Sequence, residues 1–216
     1  MDFKELFKFI DALQRNNNKE WMDENRKWYF TIRDSYIAWL ETMDAKLNKI
    51  DADYTHTPGK KAINRINNNL LFHPDRPTYK DHFGAGLDQV SKQGDFYIQI
   101  GKENFIAGGY YKPKSSIVKS IRQAIDYNGE ELLAILNKKS FKNIFEFIDD
   151  GDSLKTSPKG FPANHRFIDL LRKKTFAVQA NLTRAEIMKP DFDEKLIDIY
   201  KEMLPFRRYL NQAVTV

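Results

Sequence analysis

The chain of 216 residues contains no cysteine. That absence removes disulfides, thiol nucleophiles and thiolate metal sites together. It suits a reducing cytosol, so a cytoplasmic location is expected. Long apolar runs are missing too. None approaches the roughly 20 residues that a membrane span needs. Met1 to Ile10 alternates charged and apolar side chains, unlike a secretory leader. No membrane partner is therefore expected. Gly-x-Ser-x-Gly, His-Glu-x-x-His, Walker-type loops and Gly-x-Gly-x-x-Gly are all absent, which takes most of the support from α/β-hydrolase, zinc-protease, NTPase, kinase and Rossmann readings. There is no internal repeat and no low-complexity linker.

What is present is a globular composition. Hydrophobic residues make up 41% and aromatics 13%, enough apolar surface for a folded core rather than a disordered chain. The length fits one sizeable core, so a single domain over residues 1–216 is expected. The formal charge is +5 and the isoelectric point about 9.1. That balance favours anionic partners, with nucleic acid among them but not preferred. It leaves the oligomeric state open.

Apolar periodicity organises the first quarter of the chain. Phe3, Leu6, Phe7, Ile10 and Leu13 recur at helical spacing. Asn16-Asn17-Asn18 breaks that helix, and capping is the simplest role for such a run. From Lys19 a long helix is expected to run to about Ile50, with Trp21, Asn25, Trp28, Ile32, Tyr36, Trp39, Met43, Leu47 and Ile50 stepping by threes and fours along its stripe. Lys60 to Asn67 suggests a strand, and 67–86 reads as irregular. Asp95–Ile100 and Asn104–Tyr111 read as strands joined by a turn at Gly101 to Asn104. Two helices follow, meeting at Asn128-Gly129. Residues 141–156 fit helix or strand equally, Asn164 could cap a helix to about Lys173, Thr175–Leu182 reads as a strand, and Leu196–Leu210 as a closing helix. The strands gather in the middle without βαβ alternation. The expected class is α+β, with a largely antiparallel central sheet flanked by helices and a long N-terminal helix.

The stretch Arg65 to Gly86 holds the densest chemistry. Arg65, Arg76 and Lys80 are cations, Asp75 and Asp81 carboxylates, with His73, Tyr79 and His82 among them. Polar residues on irregular backbone are a common way to build a site. Arginine offers a bidentate fork to phosphate or carboxylate, and lysine a point charge. Lys159 belongs to the same inventory, while Gly108, Gly109 and Gly160 would let backbone approach a ligand. Asp75 and His82 are the first acid–base candidates. His73-x-Asp75 and Asp81-His82 supply metal-ligand types at no recognised metal spacing, so no metal is assigned. His165 follows Pro162-Ala163-Asn164 at an expected helix start, where packing or capping explains it.

Taken together, Asn16-Asn-Asn-Lys-Glu-Trp21 with Asn25-Arg26, Arg65-Ile-Asn67, Phe72 to Lys80, Gly108-Gly109 with Pro113, and Ser157-Pro-Lys-Gly-Phe161 with His165 and Ile168-Asp-Leu-Leu171 resemble the domain of unknown function 2461 family. The resemblance runs from about Phe3 to Leu210. It implies a single α+β domain and marks positions, but implies no reaction and no cofactor. Arg65, Asp75, Tyr79, Lys80, Lys159 and Gly160 match. Asn68, Asn69 and Leu71 stand where the family usually shows an Arg-Asp pair and a further Arg. His73-Pro-Asp-Arg76 replaces a Ser-Lys-Asp-Lys stretch. If that charged cluster carries chemistry in the family, the resemblance implies that it is altered here.

The reading that results is a polar, basic pocket for a small phosphate- or carboxylate-bearing ligand, formed by Arg65, Arg76, Tyr79, Lys80, Gly108, Gly109, Lys159 and Gly160. The alternative is a nucleic-acid or protein-interaction module that uses a basic surface, with Tyr110 and Tyr111 beside Lys112 and Lys114 as stacking platforms.

Overall fold

The structure is a computed structural model that describes residues 1–90, 95–148 and 151–215. Its described residues form helices α1 (Phe3–Arg15), α2 (Lys19–Glu24), α3 (Arg26–Asn48), α4 (Gly59–Ala62), α5 (Ser115–Asn137), α6 (Lys139–Ile144), α7 (Ile168–Leu171), α8 (Arg184–Ile187) and α9 (Phe192–Thr215). Strands β1 (His82–Leu87), β2 (Phe96–Gly101), β3 (Phe105–Tyr110), β4 (Glu146–Phe147) and β5 (Phe176–Asn181) form an antiparallel sheet in the order β1-β2-β3-β5-β4. Glu146 pairs with Gln179 and Phe147 with Val178. This is the α+β class that the sequence implies. The chain folds as two compact units, one of residues 1–88, 97–106 and 181–197, the other of 89–96, 107–180 and 198–216.

The first unit is built on aromatic packing. Asp2 caps α1 through the Glu5 N–H, and the apolar face of that helix is buried. Phe9 meets Trp21, Trp28, Tyr29 and Phe83. Phe3 lies edge-on to Trp39 and Phe192, with ring centroids 5.2 and 5.3 Å apart. The expected single helix from Lys19 is two helices. Asn25 leaves helical geometry at φ −101°, ψ 13°, and its side-chain amide donates to the Trp21 carbonyl at 2.9 Å. A residue whose own side chain competes for backbone partners ends a helix there.

Further along this unit, α3 is tied to the loop after it by a buried carboxylate. Asp44 Oδ1 accepts from the Tyr54 hydroxyl at 2.7 Å and from the Thr57 N–H at 2.8 Å, and its other oxygen meets the Nδ1 of His56. At α8, Thr183 and Glu186 form a reciprocal capping box. The Lys195 ammonium and then the Thr183 donors hold the Glu186 carboxyl down at about 2. A depressed acid stabilises the fold above its unfolded value and loses that contribution as pH falls through the folded one. Acidification from about pH 5 to pH 2 should therefore erase the stability difference between the parent and Glu186→Gln. Thermal midpoints across that range check this. The carboxylate is solvent-screened, so the difference at neutral pH should be about 1 kcal/mol or less.

In the second unit, Ile121, Ile125 and Leu132 of α5 are fully buried. The helix is interrupted at Asn128, with φ −141° and ψ 51°, where the sequence places the Asn-Gly turn. The Tyr209 hydroxyl donates to the Asn128 carbonyl at 3.2 Å, which satisfies a group that the interruption frees. Phe141, Phe147 and Phe206 pack together. The stretch from residue 141 resolves its ambiguity by being both, α6 and then β4, while positions 149–150 lie outside the described residues. The helix expected from Asn164 is confined to Ile168–Leu171.

Candidate functional site

The segment from Ile63 to Leu87 in the first unit is more regular than its composition suggests. Instead of a strand over 60–67, one helical turn ends at Ala62 and the backbone then pairs at isolated points. Ile63 bridges Ala85 and Asn67 bridges Tyr79. The Asn68 N–H donates to the Thr78 carbonyl at 3.0 Å and its side-chain amide to the Pro77 carbonyl at 2.8 Å. The chain from Asn69 to Pro77 is thus a closed excursion on a pinned base. Every residue in it is exposed. Two inner turns, His73 N–H to Asn69 carbonyl and Arg76 N–H to His73 carbonyl, shape it. The expected irregular stretch also hides a strand, since β1 occupies its last residues.

Asn17 supplies the main tether of this excursion. Its side-chain amide pairs with both backbone groups of Tyr79, accepting from the N–H and donating to the carbonyl, each at 2.9 Å. The Asn run therefore has divided duties. Asn18 caps α2, Asn16 ends α1, and Asn17 reaches 62 positions along the chain. Sequence alone carries no signal for that partner. Replacing Asn17 with alanine leaves two backbone groups without protein partners and should cost about 2 kcal/mol, measurable by urea denaturation. The Tyr79 ring itself is buried in the core, so Tyr79 contributes anchoring rather than an exposed contact.

Lys80 is the hub of the cations. Its ammonium donates to the Arg65 carbonyl and to the Asn67 carbonyl, the latter at 2.9 Å. Burial first, then the guanidinium groups of Arg65 and Arg76, push its pKa down. Arg65 and Arg76 thus each act on the charge of Lys80. Among the described residues none of the three is paired with a carboxylate. Asp81 is engaged by the His82 Nδ1 at 3.0 Å. Asp75 is exposed on the excursion. Among the described residues no group of three or more His, Asp or Glu is placed to hold a metal ion.

The remaining expected site residues belong to the second unit. Lys159 and Gly160 are exposed in a turn closed by the Phe161 N–H on the Pro158 carbonyl at 3.1 Å. Gly160 has φ +94°, the third-position geometry of a type II turn, which glycine adopts without strain. A local turn thus accounts for it. Gly108 and Gly109 were expected to open the strand to a ligand. Instead, Met203 and Arg207 fill the space over Gly108, and Phe176 and Phe206 that over Gly109. These two glycines admit neighbours of the protein itself. His165 is held on both nitrogens: Nε2 lies 2.9 Å from Asp126, and Nδ1 accepts from the Phe167 N–H at 3.1 Å.

A family model described as conserved hypothetical protein (DUF2461) matches residues 5–209. The chain belongs to this family. No curated protein and no solved structure matches it.

Proposed function

We propose that this member of the family binds a small phosphate- or carboxylate-bearing anion beside the 65–80 excursion. The observation that carries the reading is the half-buried Lys80, held on the Arg65 and Asn67 carbonyls with the charges of Arg65 and Arg76 both acting on it, and with no carboxylate paired to any of the three among the described residues. Like charges held together cost free energy unless something neutralises them. A bound anion does so, and in turn favours the charged form of Lys80. Arg65 and Arg76 supply paired donors. Lys80 supplies a point charge and fixes the backbone of Arg65 by its own hydrogen bond. The reading is one of binding, and Asp75 and His82 receive no catalytic part in it.

Arg65 and Arg76 make the clean test, because both are exposed and neither side chain holds a hydrogen bond among the described residues. Arg65→Gln and Arg76→Gln should keep the parental thermal midpoint. Each should weaken inorganic phosphate binding, followed by calorimetry, about tenfold. Binding should also weaken as pH rises through the lowered pKa of Lys80. Unchanged affinity in both variants would sink the proposal.

A further inference from the structure

The excursion carries a second feature that small-anion binding does not use. Leu70, Leu71 and Phe72 form the first limb of it and are 39, 85 and 73% exposed. Three consecutive apolar side chains exposed on a loop whose base is pinned by Asn17, Asn68 and Lys80 form one contiguous apolar patch rather than singly scattered surface residues. Between Arg65 and Lys80 the sequence holds three cations and one carboxylate, Asp75. The apolar run is therefore flanked by net positive charge.

We infer that this excursion docks the protein on an anionic lipid surface, with Leu71 and Phe72 entering the headgroup and acyl boundary and Arg65, Arg76 and Lys80 against lipid phosphates. The inference rests on the proposed anion site and names the source of its anion. Two considerations select a bilayer over a protein groove. A stable protein interface needs about 800 Å² from each partner, which a run of three residues does not supply. A bilayer accepts a narrow apolar protrusion, and a cationic flank adds attraction to acidic headgroups. Among the described residues no helix is long and apolar enough to cross a membrane. The sequence expectation of no membrane partner rests on the lack of a spanning segment, and surface docking needs none.

The test is co-sedimentation of the full chain with vesicles of phosphatidylcholine alone, or with about 30% phosphatidylserine added to mimic an acidic leaflet. Binding should require the acidic lipid and weaken with salt. The double variant Leu71→Ser with Phe72→Ser should lose at least about tenfold in vesicle affinity while holding inorganic phosphate as the parent does. Arg65→Gln with Arg76→Gln should lose both activities. All four positions are exposed, and thermal midpoints confirm that the variants fold. Vesicle binding unchanged by the serine pair would overturn the inference. So would phosphate binding without vesicle binding, the result expected of an apolar run that seats in a protein, and that result leaves the anion site standing. Failure to bind either phosphate or vesicles sinks both readings.

Discussion

Gly109→Ala should destabilise the protein by about 4 kcal/mol, lowering the thermal midpoint by about 10 °C. Two costs combine. Gly109 has φ +101°, a region that an L side chain enters only with strain. The added methyl would also overlap the carbonyl oxygen of Phe176 and stand 2.9 Å from the Phe206 ring. The first obstacle is backbone of the neighbouring strand, which cannot swing aside as a long side chain can. Gly160→Ala separates the two costs. Gly160 shares the positive φ but has nothing within 4 Å of an added methyl. Its substitution should cost only about 1 kcal/mol. Equal effects at the two sites in urea denaturation would show that close packing over Gly109 contributes nothing.

Asp44→Ala should cost about 3 kcal/mol or more. The carboxylate is fully buried, and its loss removes the acceptor on which the Tyr54 hydroxyl and the Thr57 N–H converge. Removing one partner of a buried hydrogen bond costs about 1–3 kcal/mol. The truncation also leaves a small cavity. Asp44→Asn keeps the shape and an acceptor but puts a donor amide where His56 meets the second oxygen, so it should cost about half as much. The consequence is local before it is global. The loop from Asp51 to Pro58 leads directly into α4 and the Ile63 bridge, and loosening it should speed amide exchange at Thr57 and Ile63. An alanine variant within about 1 kcal/mol of the parent would show that this carboxylate is no anchor.

Much of the fold is legible in the sequence because it is written in local periodicity. The stripe from Phe3 to Leu13, the strands around Gly101 to Asn104 and the Asn128 interruption all follow from spacing and turn chemistry. The exceptions share a cause. Asn25 divides one long apolar stripe into two helices, yet the stripe runs through the break and masks it. Strand β1 contains Gly84 and Gly86, poor strand formers that pair here because neighbours in the sheet supply what local propensity lacks. Lys60 to Asn67 shows the converse, an alternating pattern that pairs only at single residues. The candidate site is legible as an inventory, since Arg65, Arg76 and Lys80 stand out by type. Their geometry is not. The bond from Lys80 to the Arg65 carbonyl, the tether from Asn17 and the filling of the space over Gly108 by Met203 depend on distant partners that no local pattern encodes.

The division of the chain also decides what its intrinsic probes can see. All three tryptophans, Trp21, Trp28 and Trp39, lie in the first compact unit. Tryptophan emission therefore follows that unit alone, whereas far-ultraviolet dichroism sums the helices of both. Recorded on one denaturant series, the two signals become a cooperativity assay that needs no added label. Coincident midpoints mean that both units unfold in one transition. An emission change that precedes the loss of dichroism means that the second unit keeps its helices after the tryptophans have reached water.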